Sequence, residues 1–302
     1  MAKEADKAAE SSKPEAKDGA QLLCWHELPP WQQDNEYIVS GYRPLSYSYQ
    51  KSLASLGSLH NQTVNIYSHL LGLVVFVVAA RGVWDALAER YVSATHEDLV
   101  VFGCFFGGAF LCFAFSTAFH TFSNHSLDAH ERWLFMDFLG ILCLTAGSWV
   151  PGVYYGYYCR PTTYRFYVFL ISTIAAGCAL LIITPRCRTN EWKTFRTAMF
   201  MSLGLVGIIP MTFAAREFGI AQAHRQMGWC WIVLEGVFYV SGALVYASKY
   251  PEKLWPGAFD FVGSSHQIFH ILVICGALAH LTAILQAFDY NHHPETRMCR
   301  IG

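Results

Sequence analysis

From about residue 65 onward, the chain alternates between long apolar runs and short charged stretches. The runs fall near 66–84, 98–121, 134–154, 165–184, 196–214, 229–248 and 266–287. Each approaches the roughly 20 residues that an α-helix needs to cross about 30 Å of hydrocarbon. In lipid the backbone must satisfy its own hydrogen bonds, so runs of this length are expected as helices rather than barrel strands. The pattern therefore predicts an all-α integral membrane protein with seven transmembrane helices. An odd number of crossings puts the N terminus and the C terminus on opposite sides. Aromatic residues at the span ends (Trp133, Tyr154, Tyr155, Trp229, Trp231 and Trp255) suit the interfacial belt. Pro151 and Pro210 fall inside spans three and five and predict kinks. Gly103, Gly107 and Gly108 on span two predict close helix contacts of the small-xxx-small kind.

Outside the spans the pattern is weaker. Residues 1–36 are expected as a cytosolic tail, disordered over its first 20 residues, where alternating Lys and Glu or Asp leave nothing to bury. That stretch has no apolar h-region, so no cleavable signal peptide is expected. Residues 37–64 are expected as a juxtamembrane segment with a helix near 50–60. The seven-helix domain is expected over 65–288, and 289–302 as a short non-cytosolic tail.

Composition agrees with a chain solvated by lipid: 54% hydrophobic, 16% aromatic and only 14% charged, against about 25% charged in soluble domains. With 21 basic and 22 acidic residues there is no basic surplus, and nucleic acid is not an expected partner. Six of the ten cysteines lie inside apolar runs, and no CxxC pair suggests a thiolate zinc site. Cys159, Cys187 and Cys299 are flank or loop residues whose pairing the sequence leaves open. Basic residues near the spans divide almost evenly between the two sides. The basic loop at 185–196 and the charged N-terminal tail place the N terminus in the cytosol by the positive-inside rule.

Ionisable groups within a span are costly, about 2.5–3.5 kcal/mol for Asp at a helix centre, and mark functional candidates. His266 and His270 are i, i+4 at the start of span seven and lie on one helical face. Ser116 and His120 have the same spacing at the end of span two, and Asp137 lies one turn into span three. Parity of crossing puts all of these in the leaflet of the N terminus. Three imidazoles can hold a zinc ion with a fourth position open, the arrangement of catalytic zinc, and a carboxylate beside it can act on a water in that position. The alternative from spacing and parity alone is a hydrogen-bonded polar cluster tying three helices together. Asn65 and His69 read as a packing or outer-sphere pair. His280 lies too deep to join the same ion and reads as hydrogen-bonded core. Glu235, mid-span in helix six, reads as a helix-to-helix hydrogen bond. His125 and His130 read as solvated, and His292 and His293 as residues of the opposite tail.

The series Asn65-Ile66-Tyr67-Ser68-His69-Leu70-Leu71-Gly72, Ser116-xxx-His120, Asp137 and Ser265-His266-Gln267-Ile268-Phe269-His270 resembles the motifs of the progestin and adipoQ receptor family. Pro251-Glu252, Pro256-Gly257 and Asp260 are similar to its adiponectin-receptor branch. Bacterial haemolysin III proteins share the general pattern, and the compact loops resemble the smaller, fungal-type homologues. The resemblance runs from about residue 37 to 288. It implies a cytosolic N terminus and Zn²⁺ held by His120, His266 and His270, with Asp137 and Ser116 beside the ion as catalytic groups. It further implies hydrolysis of a lipid amide, ceramide, to a fatty acid and a sphingoid base. Phe105, Phe106, Phe110 and Phe113 are expected along the lipid's path. The expected partners are membrane lipids, among them a ceramide-like substrate, and an extracellular ligand rather than a heterotrimeric G protein, in the plasma membrane or the endoplasmic reticulum. A different class of function stays open beside the hydrolase: a seven-helix receptor in which the zinc is structural.

Overall fold

In a computed structural model, which describes residues 21–91 and 93–296, the protein is a bundle of seven membrane-crossing helices. A short helix, α1 (Tyr49–Ala54), precedes them. The spans are α2 (Thr63–Arg90), α3 (His96–Phe122), α4 (Leu127–Gly156), α5 (Pro161–Ile183), the pair α6 (Lys193–Leu205) and α7 (Ile208–Phe218), α9 (Trp229–Ser248) and α10 (Ser265–His292). A two-turn helix, α8 (Ile220–Met227), links the fifth span to the sixth.

The fifth span is broken rather than bent. Pro210 lies in the first turn of α7, where its missing N–H costs nothing, and the break falls at Val206–Gly207 just before it. Gly207 is required there, because a Cβ would lie 1.6 Å from the Trp149 ring. Pro151, by contrast, sits inside an unbroken α4.

Lipid tails are as apolar as leucine, so close packing and hydrogen bonds hold the bundle together. The tightest seam joins α3 to α4. A Cβ on Gly108 would come within 2.4 Å of the Cys143 carbonyl oxygen, and one on Gly147 within 2.4 Å of that of Cys104. Gly103 and Gly107 face open space, so only Gly108 of the three expected contact glycines serves the seam. Phe105 and Phe113 of α3 are fully buried with Phe76 of α2 and Ala277 of α10. They form solid core and not a lipid path, contrary to expectation, while Phe110 faces outward at 47% exposure.

The expected disorder of the N-terminal tail concerns residues outside those described. Residues 21–36, grouped with that tail by sequence, instead fold back onto the bundle. Leu23 bridges to Tyr42, Lys193 pairs with Asp34 at 3.1 Å, and Asn35 donates to the buried Glu252 at 2.9 Å. The last helix also continues to His292, so the tail begins later than expected. Polar residues in its final turns are held internally: Asn291 Nδ2 donates to Ala287 O and Gln226 O at 2.8 and 3.0 Å.

Candidate metal centre and its cavity

His120 sits in the last turn of α3, where helix carbonyls lose their intrahelical partners. Arg43 supplies the missing donors. Its guanidinium, 6% exposed, donates to the carbonyls of His120 (2.6 Å) and Thr121 (3.0 Å) and to Ser55 Oγ (2.8 Å). Burial lowers the Arg43 pKa to about 10, still far above neutrality, so the donors remain charged. The ring of His120 is oriented from the other side. Asn65 Nδ2 donates to Gln62 Oε1 at 2.9 Å, which marks that oxygen as an acceptor, and His120 Nδ1 lies 2.7 Å from the same atom. The proton therefore belongs on Nδ1. Nε2 keeps its lone pair, buried and with no protein partner.

His266 and His270 stand on the first turns of α10, and the loop before them fixes that helix end. The Glu252 carboxylate, fully buried, accepts from Ser265 N (2.8 Å) and makes a very short hydrogen bond with Ser265 Oγ. An acidic group is favoured at a helix N-terminus by the backbone dipoles. Asp260 accepts from Val39 N (2.9 Å) and Ser40 Oγ (2.6 Å), which ties the same loop to the juxtamembrane segment. His270 Nδ1 lies 3.2 Å from Asn65 O and 3.4 Å from Ser68 Oγ. A proton on that nitrogen turns Nε2 toward the site.

The three histidines meet. The ring centroids of His120, His266 and His270 are 4.8–5.0 Å apart, and one nitrogen from each falls within 4.8 Å of the others. An unpartnered His120 Nε2, with the rings of His120 and His270 oriented through Nδ1 by Gln62 and Asn65, is what a metal site requires of its donors. Small ring rotations would bring them to Zn–N distances of about 2.0–2.1 Å, so the residues present fit a bound ion. His69 stacks on His270 at 3.7 Å, and both of its ring nitrogens are buried without partners. The expected Asn65–His69 pair is not made, because the Asn65 side chain turns to Gln62.

Ser116 lies one turn before His120, 2% exposed, with its hydroxyl toward the Asp137 carboxylate. Both line a cavity of about 590 Å³ that also receives His69, His266 and His270. Its walls are mostly apolar, with Ile141, Phe200, Met201, Val240 and Val273 among them. On its rim Leu205, Ile208, Val233 and Val237 are 40–57% exposed, between the fifth and sixth spans.

Several residues that matter structurally carry no conspicuous sequence signal. His292 is not a tail residue: its Nε2 lies 3.1 Å from Asp98 Oδ1, and Asp98 also accepts from Tyr155 Oη at 2.8 Å. Ser93 Oγ closes that network at 3.0 Å from His292 Nδ1. Asp98, the third residue of α3 and the last before its apolar run, was the available clue. Glu235 and His280 are expected separately by sequence, yet they meet at 2.7 Å. His125 and His130 are also held, by Ser126 Oγ (2.9 Å) and Ser123 O (3.4 Å).

Residues 57–281 match the family described as haemolysin-III related. Over 271 residues the chain is 34% identical to the ADIPOR-like receptor IZH2 of Saccharomyces cerevisiae, covering 90% of this chain and 85% of that protein. It is 36% identical over 272 residues to the adiponectin receptor protein of Drosophila melanogaster, covering 89% of this chain and 60% of that one. The human progestin and adipoQ receptor family member 3 is 33% identical over 279 residues, covering 91% and 88%. With seven helices of spanning length, a three-histidine cluster in the leaflet of the N terminus, and these likenesses over most of its length, the chain belongs to the haemolysin-III-related, adiponectin-receptor-like family of membrane proteins.

Proposed function

We propose that the protein is a zinc-dependent membrane hydrolase that cleaves the amide of a ceramide-like lipid to a fatty acid and a sphingoid base. The observation that carries this reading is the shared cavity: Asp137, Ser116, His266 and His270 open into one long apolar space whose rim faces the bilayer between the fifth and sixth spans. A lipid enters such a space laterally, its chains against Ile141, Phe200 and Val240 and its amide at the histidine end.

His120, His266 and His270 would hold the ion. When bound, zinc supplies Lewis acidity, polarising a carbonyl and lowering the pKa of a water toward about 7. Asp137 takes a proton from the attacking water as its oxygen adds to the amide carbon. It then gives that proton to the nitrogen as the C–N bond breaks, the sequence expected of one carboxyl group acting as base and then acid. The Ser116 hydroxyl orients the Asp137 carboxylate. Gln62 and Asn65, through His120 Nδ1 and His270 Nδ1, keep these two imidazoles in the Nδ1–H tautomer, which leaves the Nε2 lone pair for the ion.

A cytosolic N terminus fits this arrangement. Cys159, in the loop between α4 and α5, is disulfide-bonded, and disulfides persist in oxidising compartments. That loop lies on the side opposite the histidines, which supports a site opening on the cytosolic leaflet.

The test is zinc content and single-turnover ceramide hydrolysis on purified protein, wild type beside Asp137→Ala. Zinc in both with hydrolysis only in the wild type is the expected result. Zinc in both and hydrolysis in neither would leave a seven-helix receptor with a structural ion. Zinc in neither would remove the metal centre itself.

A further inference from the structure

About 15 Å along α10 from His270, the ten-residue rise of an α-helix, the same cavity has a second polar end. His280 Nδ1 lies 2.7 Å from Glu235 Oε2 of α9, and the two residues are 2% and 7% exposed. The other ring nitrogen, His280 Nε2, is buried with no partner. Tyr239, one helical turn after Glu235 and on its face, has its ring wedged where Gly276 lacks a side chain: a Cβ there would lie 2.3 Å from it. Its hydroxyl is likewise buried and unpartnered. So is Ser148 Oγ on α4, one turn before Gly152, which approaches His280 to 3.9 Å at a built Cβ. All four side chains line the cavity.

A helix-to-helix tie would require only the Glu235–His280 bond. Three further polar atoms on three helices, all without partners in a hydrocarbon environment, each carry a desolvation cost that a ligand would remove. We propose that Glu235, Tyr239, His280 and Ser148 form a polar recognition point for a hydroxyl group carried partway along the chain of the lipid in this cavity. The inference rests on the reading that the cavity takes a lipid.

A hydroxyl is favoured by the chemistry of the pair. With the proton on Nδ1, Nε2 accepts from an O–H. With the proton on Glu235, Nδ1 accepts and Nε2–H donates to a hydroxyl oxygen. The same group satisfies both states, and Tyr239 and Ser148 can complete its second bond. A carbonyl matches only one state. An ammonium or carboxylate would bring an added charge to mid-membrane, where it is costly.

The test is binding of stearic acid and of its mid-chain hydroxylated derivative to purified protein in nanodiscs. The wild type is measured beside Tyr239→Phe, Ser148→Ala and His280→Leu, each confirmed as folded by gel filtration. Tyr239→Phe removes a single oxygen, so it keeps the test valid if His280→Leu fails to fold. One well-placed buried hydroxyl predicts about tenfold tighter binding of the hydroxylated lipid by the wild type. The two affinities should converge to within about threefold in Tyr239→Phe. Equal affinities in the wild type would overturn the inference, as would an undiminished preference in all folded variants. Failure of both lipids to bind would instead overturn the lipid reading of the cavity.

Discussion

Adding one methyl group at Gly108 should separate the helices that carry the candidate site. A Cβ there would stand 2.4 Å from the Cys143 carbonyl oxygen and 3.0 Å from Leu144 Cα, all rigid backbone. Ordinary contact begins near 3.4 Å, so α3 and α4 must part by about 1 Å (3.4 − 2.4), and no flexible side chain is present to absorb the change. Overpacking of this kind costs about 1–3 kcal/mol. For a chain of this size that corresponds to roughly 2–12 °C in melting temperature, taking about 2–4 °C per kcal/mol. The consequence reaches function because α3 carries Ser116 and His120 while α4 carries Asp137, and a misplacement of about 1 Å in a reacting geometry can cost about 100-fold in rate. Gly107→Ala is the matched control, since its Cβ would enter open space. Thermal unfolding in detergent, followed by retention on gel filtration, reads the difference. A Gly108→Ala melting temperature equal to that of Gly107→Ala would refute the close-seam reasoning.

Alanine at His120, His266 or His270 should each abolish bound zinc by metal analysis, and chelation of the wild type should lower its melting temperature while leaving these variants unaffected. Arg43→Met should cost about 2–4 kcal/mol by leaving the His120 and Thr121 carbonyls without donors in a buried place. Arg43→Lys should not recover it, because a single ammonium cannot reproduce the guanidinium fork; chemical denaturation measures both. Burial, aided by the nearby Arg43 charge, pushes His60 down to about 3. The unfolded chain binds that proton near pH 6.5 and the native chain does not. The His60 contribution is therefore complete above about 6.5 and lost as the pH falls toward 3, with a slope of up to about 1.4 kcal/mol per pH unit. His60→Asn, which retains an acceptor for Gln62 N, should flatten that limb of the stability profile.

The spans were legible because hydrocarbon imposes a length and excludes charge, and both constraints are written in the linear order of residues. The three histidines were legible as candidates through helical spacing and parity of crossing. Their tautomers were not, since these depend on Gln62 and Asn65, which lie on another helix or just before it. The Phe residues of span two illustrate the opposite failure: apolar periodicity does not distinguish a side chain that faces a cavity from one that faces packed core. Glu235 and His280 each looked like an isolated polar residue, because their pairing is a property of two helices 45 residues apart in sequence. The end of span seven was misjudged for the same reason. Asn291 and His292 are polar, and only their partners Gln226 and Asp98 show that they are buried.

The stitching of the juxtamembrane segment to the loop before α10 also dictates an order of assembly. Asn35 meets Glu252 across 217 residues, and Val39 meets Asp260 across 221. At about 5–20 residues per second of synthesis, a ribosome needs roughly 10–40 s to deliver those partners after the segment itself has emerged. Through that interval the N-terminal segment has no counterpart, and the helix end that presents His266 and His270 does not yet exist. The last loop to be made is therefore the latch. A chain that stalls within span six exposes an unlatched N-terminal segment, and insertion of the seventh helix brings the ligands and the segment's anchor together in a single event.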